Sequence, residues 1–163
     1  MLSIIVAKAK NNVIGKNDEL IMKLPAESKK FRELTEGKNV IMGRKKYDIL
    51  GKYLRERNVI VFSNNPDFRV STQNAKVVHS MLEIKQYIDD EEENFVIGGA
   101  MIYSFLLPYV NKIYATEIDQ NFEGDAFFPK LNPADWKETA REKGIKDEKN
   151  TLDYDFVTYE RIK

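Results

Sequence analysis

Short runs of apolar and β-branched residues alternate with helix-forming segments along most of the chain. Such runs, bounded by turn residues, are typical of buried strands, and their alternation with helices predicts right-handed crossovers into a mainly parallel sheet. The predicted strands are Ile4–Ala7, Val40–Met42, Asn58–Phe62, Lys76–Val78, Asn94–Ile97 and Lys112–Thr116. The predicted helices are Pro25 to about Gly37, a short helix after Gly43, Met81–Ile88 and Met101–Leu107.

The last third of the chain is richer in strands. Trp136–Thr139 and Tyr154–Tyr159 are predicted strands with no helix between them, which favours an antiparallel edge. We therefore predict one α/β domain over residues 1–163, with a mainly parallel central sheet, helices on both faces and an antiparallel C-terminal edge. The polar segment Lys10–Glu19 is predicted to be a long surface loop, a kind of segment that often carries function.

Composition excludes several classes of function. The chain has no cysteine and one histidine, His79, so a disulfide framework and a cysteine-based metal or catalytic site are excluded. Lys and Arg together number 26, as do Asp and Glu, so the basic excess typical of nucleic-acid-binding proteins is absent. The apolar N-terminal run is too short for a signal sequence or a membrane span. These features predict a cytoplasmic protein that binds neither nucleic acid nor a membrane.

In an open α/β sheet, ligands bind beside the carboxyl ends of the strands. Glu27 lies in the first turn of the helix that begins at Pro25, on the same face as Phe31 and Leu34. A carboxylate on an apolar face is costly to bury unless a group pairs with it, and a ligand with an amidine-like edge would supply two parallel N–H donors. Taken alone, Glu27 is explained more simply as a solvent-facing glutamate that the helix dipole favours.

Two strand-to-helix junctions have features of phosphate sites. Gly98-Gly99 would let a ligand approach the backbone closely at a helix N-terminus, although an ordinary tight turn has the same sequence. Gly43–Lys46 places three cations where they oppose the helix dipole. An anionic ligand would explain them, and so would a solvated surface cluster. Ser63, after the next strand, could add a neutral donor. Two such sites suit a dinucleotide, but the G-x-G-x-x-G fingerprint is absent.

A series of segments along nearly the whole chain resembles the dihydrofolate reductase family. Each segment is short, and their order and spacing together are specific. The resemblance implies NADPH-dependent reduction of 7,8-dihydrofolate to tetrahydrofolate, with hydride transfer from nicotinamide C4 to pterin C6 and protonation at N5. The matching segments are Ile5–Ala7, Asn12–Gly15, Leu24-Pro25 with Glu27 and Phe31, Val40–Arg44, Leu54, Arg57, Ile97–Ala100 with Ile102-Tyr103, Tyr114–Glu117, Glu123–Asp125, Phe128-Pro129 and Asp135-Trp136.

The resemblance also implies the substrate-binding residues. Glu27 would pair with the pterin 2-amino group and N3, and Thr116 would support this carboxylate. Arg57 would bind the α-carboxylate of the glutamate tail, with Arg55 as the alternative. Met22 stands in the place of a Trp that orders water, so the implied catalytic set is Glu27, Met22 and Thr116. The other implied contacts to the substrate are Ile5, Val6, Ala7, Phe31, Leu50, Leu54 and Ile97.

The resemblance implies one NADPH site that includes both strand-to-helix junctions. It implies no metal ion. Asn11–Lys23 would be the loop that closes over the nicotinamide and excludes water. Gly98-Gly99 would carry the pyrophosphate, and Arg44 would hold the adenosine 2′-phosphate. The implied partners are dihydrofolate and antifolate inhibitors such as methotrexate, bound by a monomer. The implied cofactor contacts are Ala7, Ile14, Gly15, Gly43, Arg44, Lys45, Lys46, Ser63, Ile97, Gly98, Gly99, Ala100, Met101, Ile102 and Tyr103.

Departures from the family pattern keep two alternatives open. Ile21-Met22 replace Pro-Trp, Lys46 replaces a cofactor-contacting Thr, and Arg55-Glu56 replace Pro-Gly. One alternative is a same-fold NADPH reductase that acts on a riboflavin-pathway pyrimidine. The other is a catalytically impaired protein that binds folate and NADPH.

Overall fold

A computed structural model describes residues 1–17, 19–20 and 24–162. The helices are α1 (Pro25–Thr35), α2 (Arg44–Leu50), α3 (Met81–Ile88) and α4 (Ala100–Leu106), with short 3-10 turns at Gly51–Tyr53 and Leu107–Tyr109. The strands are β1 (Leu2–Ala9), β2 (Val13–Lys16), β3 (Glu19–Leu20), β4 (Asn39–Gly43), β5 (Asn58–Phe62), β6 (Ala75–Val78), β7 (Asn94–Gly98), β8 (Val110–Ile118), β9 (Ala126–Phe127), β10 (Trp136–Lys143) and β11 (Tyr154–Arg161).

Eight strands form the central sheet in the order β10-β11-β8-β1-β7-β4-β5-β6. In this spatial order, the six neighbouring strands β8, β1, β7, β4, β5 and β6 pair in parallel. The strand β11 pairs antiparallel with both β8 and β10. The predicted parallel sheet with an antiparallel C-terminal edge is therefore confirmed.

Two apolar clusters lie on opposite faces of this sheet. Along β4, the buried side chains of Val40 and Met42 belong to one cluster and that of Ile41 to the other, because side chains alternate between the faces of a strand. Helices α1 and α2 contribute Phe31 and Tyr47 to the first cluster, and α3 and α4 pack on the second. The prediction of helices on both faces is confirmed.

The prediction of a long surface loop over Lys10–Glu19 is wrong. Residues Val13–Lys16 form β2, which pairs with β3 and with β9 in a second, three-stranded antiparallel sheet. Val13 and Ile14 are buried, so this strand is stabilised by packing against segments more than 100 residues away rather than by its own polar sequence. Residues 18 and 21–23, which include Met22, lie outside the described residues.

The order of the elements determines how α1 and α2 are oriented on the sheet. Helix α1 ends at Thr35, shortly before β4 begins, and α2 begins at Arg44, directly after β4 ends. Both helices cover the same face, so the first turns of both lie at the carboxyl edge of the strands. No helix in the described part of the chain is long and apolar enough to cross a membrane.

Candidate active site

An apolar wall forms where α1 and α2 pack against the sheet. Five residues implied as substrate contacts belong to one cluster, either buried or partly buried, and they come from separate segments of the chain. Val6 belongs to the cluster on the opposite face, because it follows Ile5 in the strand. The five residues are Ile5, Phe31, Leu50, Leu54 and Ile97.

Glu27 is held at this edge by the start of α1. Pro25 is the first helical residue, where its missing N–H costs nothing. The residue that precedes it, Leu24, offers no side-chain cap. Instead, the buried Asn150 accepts a hydrogen bond from the Ala26 N–H through Oδ1 at 3.0 Å. Sequence reasoning missed Asn150, because a cap contributed from a distant loop leaves no local signal.

Asn150 is itself fixed by Asp147. One carboxylate oxygen of Asp147 accepts hydrogen bonds from the backbone N–H of Lys149, the backbone N–H of Asn150 and the Asn150 side-chain amide. These bonds hold the pKa of Asp147 below its usual value. The only sequence signal for this arrangement is an acidic residue followed closely by Asn, a pattern that also occurs in ordinary turns.

The structure contradicts the simpler explanation of Glu27 as a solvent-facing glutamate. Its side chain is half-buried, and burial raises the pKa of the Glu27 carboxyl, with Lys46 opposing that rise. A carboxylate that has lost much of its hydration gains from a ligand that donates hydrogen bonds.

Tyr103 joins α4 to the middle of β1. Its hydroxyl donates a hydrogen bond to the Ile5 carbonyl at 2.7 Å. Burial and the charge of Glu27 both raise the pKa of Tyr103, so the phenol remains neutral. The neighbouring strand brings in Thr116, a buried residue paired with Ala7 in the β1–β8 register. The charge of Glu27 therefore acts on Tyr103, and Thr116 lies on the strand beside β1.

Gly98-Gly99 lies between β7 and α4 and is a cis peptide. Gly98 has φ +106°, and a Cβ there would lie 2.8 Å from the Tyr103 ring. Gly99 has nothing within 4 Å of the corresponding position. The tight packing is therefore at Gly98, and the open space is at Gly99, beside the first N–H groups of α4.

The Gly98→Ala variant is expected to lose about 1–3 kcal/mol of unfolding free energy, because its φ is unfavourable for a residue with a Cβ. The Gly99→Ala variant is the matched control and is expected to change that free energy by less than about 0.5 kcal/mol. Urea unfolding of both variants measures the difference. Equal losses in the two variants would contradict the tighter packing at Gly98 than at Gly99.

The second junction places cations at the start of α2. A Cβ on Gly43 would lie 3.0 Å from Ile102 Cγ1, so this junction packs directly against α4. The guanidinium of Arg44 stacks 4.7 Å from the centre of the Phe68 ring, and its Nε lies 3.9 Å from Asp48. Lys45 is exposed and Lys46 is half-buried.

Ser63 lies near this junction at the end of the neighbouring strand. It is buried, and its hydroxyl accepts a hydrogen bond from the Asn65 N–H at 3.2 Å. Its carbonyl oxygen lies 2.8 Å from His79 Nδ1. The contact gives His79 a structural position beside this junction.

The start of α4 and the strand β2 contain the remaining residues implied for the cofactor. Ile14 and Gly15 are buried in β2, whereas Met101 is 83% exposed on the outer side of α4. A surface cavity of about 460 Å³ lies there, lined by Ala100, Met101, Ser104 and Phe105. In the described part of the chain, no cluster of three or more His, Cys, Asp or Glu could hold a metal ion.

Arg57 and Arg55 occupy different environments although they are close in sequence. Arg57 is only 7% exposed. Its Nε donates to Thr35 Oγ1 at 3.0 Å and its Nη2 donates to the Arg32 carbonyl at 3.2 Å. Arg55 is exposed. Both line a surface cavity of about 460 Å³, where hydrogen bonds hold the Arg57 guanidinium in place and Arg55 is exposed to solvent.

Comparisons with known proteins identify the family of this chain. A model of the family described as "Dihydrofolate reductase" matches residues 1–161. The chain belongs to the dihydrofolate reductase family. It is 41% identical to the dihydrofolate reductase of Staphylococcus haemolyticus over 162 residues, covering 99% of this chain and 96% of that protein. It is 40% identical to the enzyme of Bacillus subtilis (strain 168), covering 99% and 95%.

A solved structure gives the same result for the fold. Dihydrofolate reductase from Enterococcus faecalis, complexed with NADP(H) and RAB-propyl, superposes with a TM-score of 0.91 at 35% identity, covering 100% of this chain and 97% of that one. Membership of this family does not favour the riboflavin-pathway alternative.

Proposed function

We propose that this chain reduces 7,8-dihydrofolate to 5,6,7,8-tetrahydrofolate with NADPH, acting as a cytoplasmic monomer. The observation that carries the proposal is the half-buried carboxylate of Glu27 at the carboxyl edge of the sheet, in a chain whose full length matches dihydrofolate reductases. The Enterococcus faecalis relative binds NADP(H) on the same fold.

Glu27 orients the substrate. Its carboxylate accepts two parallel hydrogen bonds, from the pterin 2-amino group and from N3. The apolar wall that includes Phe31, Leu50 and Ile97 holds the ring and excludes water. Thr116 supports the carboxylate from the neighbouring strand. Arg57 binds the α-carboxylate of the glutamate tail at the far end of the same wall.

The residues of the two strand-to-helix junctions would hold NADPH, which would supply the hydride for pterin C6. The open space at Gly99 fits a pyrophosphate approaching the start of α4. The Arg44 guanidinium, stacked on Phe68 and exposed on its other side, holds the 2′-phosphate. Ile14 and Gly15 of β2 contact the nicotinamide. N5 takes a proton from solvent, and this completes the reduction.

The direct test follows NADPH absorbance with purified protein and dihydrofolate, using methotrexate as the inhibitor control. Methotrexate-sensitive oxidation that requires dihydrofolate supports the proposal. Binding of NADPH and methotrexate without turnover would favour a catalytically impaired binding protein.

The Arg44→Ala variant is expected to raise the KM for NADPH by roughly 10-fold to 100-fold, since a guanidinium–phosphate interaction contributes about 1.5–3 kcal/mol. The KM for NADH, which has no 2′-phosphate, is expected to stay the same. Steady-state kinetics with both cofactors measure the ratio. A parallel rise in both KM values would assign Arg44 a purely structural role.

A further inference from the structure

The half-buried Lys46 lies at the same edge and on the same face of the sheet as Glu27. Each is the third residue of its helix, Glu27 in α1 and Lys46 in α2. Because α1 ends just before β4 and α2 begins just after it, the first turns of both helices lie at the carboxyl edge of the sheet. Phe31 of α1 and Tyr47 of α2 pack in one apolar cluster below them.

Neither side chain is neutralised by a direct contact. Among residues 1–17, 19–20 and 24–162, Lys46 and Glu27 make no hydrogen bond and no ion pair within 4 Å. Other charges on the same two helices do have such partners: Arg44 lies 3.9 Å from Asp48, and Lys29 lies 3.9 Å from Glu33. The half-buried ammonium and the half-buried carboxylate thus influence each other without a direct contact.

The charges around Glu27 can be assigned element by element. Lys46 from α2 opposes the rise in its pKa, and Tyr103 from α4 is a neutral phenol. On α1 itself, Lys30 lies over the Phe156 ring at 5.3 Å, and Arg32 is exposed. The adjoining strands contribute the neutral Ile5 and Thr116. Burial lowers the pKa of the Lys46 ammonium, and Glu27 counteracts that effect.

We propose that Lys46 is a positioning residue for Glu27, whose ammonium keeps the carboxylate ionised while leaving both of its oxygens free for the substrate. This inference rests on the proposed function only for its consequence, which is that Glu27 can accept both pterin hydrogen bonds over a wider range of pH. The charge relation between the two side chains can be tested in the free protein.

The physical reason is the separation of the two groups. An ion pair in contact would occupy a carboxylate oxygen and compete with the pterin. A charge beyond contact distance stabilises the ionised carboxylate through space, and the poorly hydrated edge of the pocket strengthens that effect. Lys46 therefore offsets part of the cost of burying Glu27 without blocking the site.

The test is a pH titration of the Glu27 side-chain carboxyl carbon in protein labelled with ¹³C-glutamate, free of substrate. The signal is assigned by its loss in Glu27→Gln. In Lys46→Met, the midpoint is expected to move upward by about one pH unit. Lys46→Arg, which keeps the charge, is expected to restore the wild-type midpoint.

Lys29→Met is the matched control, since it removes the same charge from an exposed position two residues from Glu27 in sequence. It is expected to leave the midpoint unchanged. Far-UV circular dichroism checks that each variant is folded. If Lys46→Met does not fold, Lys46→Gln replaces it as the neutral variant. An unchanged midpoint in the neutral Lys46 variant, or an equal rise in Lys29→Met, overturns the proposal.

The acid limb of the kcat/KM profile for dihydrofolate is expected to shift in the same direction in Lys46→Met. Because the titration uses free protein, it succeeds or fails independently of turnover. A shifted titration in a protein that does not reduce dihydrofolate would support the role of Lys46 and contradict the proposed function.

Discussion

Replacing Glu27 by Ala is expected to lower kcat/KM for dihydrofolate by roughly 10²-fold to 10⁴-fold. Two hydrogen bonds to a charged group contribute about 1.5–3 kcal/mol each, and each 1.4 kcal/mol corresponds to a factor of about ten. The loss is large because Glu27 is half-buried, so water replaces its hydrogen bonds to the pterin poorly. Steady-state kinetics at neutral pH measure the effect.

Two variants on the same helix test whether the effect belongs to the carboxylate. Glu27→Asp keeps the charge and is expected to retain much more activity than Glu27→Ala. Glu33→Ala makes the same change at an exposed position of α1 and is expected to behave as wild type. Near-normal kcat/KM in Glu27→Ala would show that the carboxylate assignment is wrong.

The same residue gives an expected pH dependence. Burial raises the pKa of Glu27, so on acidification its carboxylate becomes protonated at a higher pH than an exposed glutamate would. Hydrogen bonds that require the ionised form are therefore present above that pKa and are lost as the pH falls through it. In Glu27→Ala, the corresponding limb of the kcat/KM profile is expected to disappear.

Replacing Arg57 by Lys is expected to raise the KM for dihydrofolate by roughly 10-fold to 100-fold, although the charge is kept. Lysine cannot make the two parallel bonds that a guanidinium makes with a carboxylate, and the loss of such bonds costs about 1.5–3 kcal/mol. The KM for a dihydropterin without the glutamate tail is expected to stay the same. Kinetics with both substrates separate the two effects.

The comparison of substrates is needed because Arg57 also holds the end of α1 through Thr35 and the Arg32 carbonyl. A purely structural effect would impair both substrates equally. Arg55→Ala is the control at the neighbouring exposed position and is expected to change little. If Arg55→Ala alone raised the KM for dihydrofolate, the tail would bind at Arg55 instead.

Local sequence patterns were sufficient to predict the central sheet. Strands such as Asn58–Phe62 and helices such as Met81–Ile88 have the predicted bounds, because burial on a sheet face and helix capping depend on neighbouring residues. Ser80, for example, accepts the capping hydrogen bond at the start of α3 within its own segment. The order of strands and helices then allowed few sheet topologies.

The surroundings of the site residues could be predicted only in part. The resemblance selected Glu27 and Arg57, but the residues alone favoured a solvent-facing Glu27 and left Arg55 as the alternative to Arg57. The electrostatic surroundings of Glu27 include Lys46 of α2, and the bonds of Arg57 depend on the end of α1. Neither relation is encoded in the spacing of nearby residues.

The sequence by itself therefore determined the α/β class, the mainly parallel order of the sheet and the family, since these depend on local periodicity and on the order of short segments. Only the tertiary structure decided that Val13–Lys16 is a strand paired with Ala126–Phe127, that Asn150 caps α1, and that Lys46 and Glu27 lie at one edge of the sheet. The physical reason is that each of these features joins residues distant in sequence, and their energies exist only once the chain has folded.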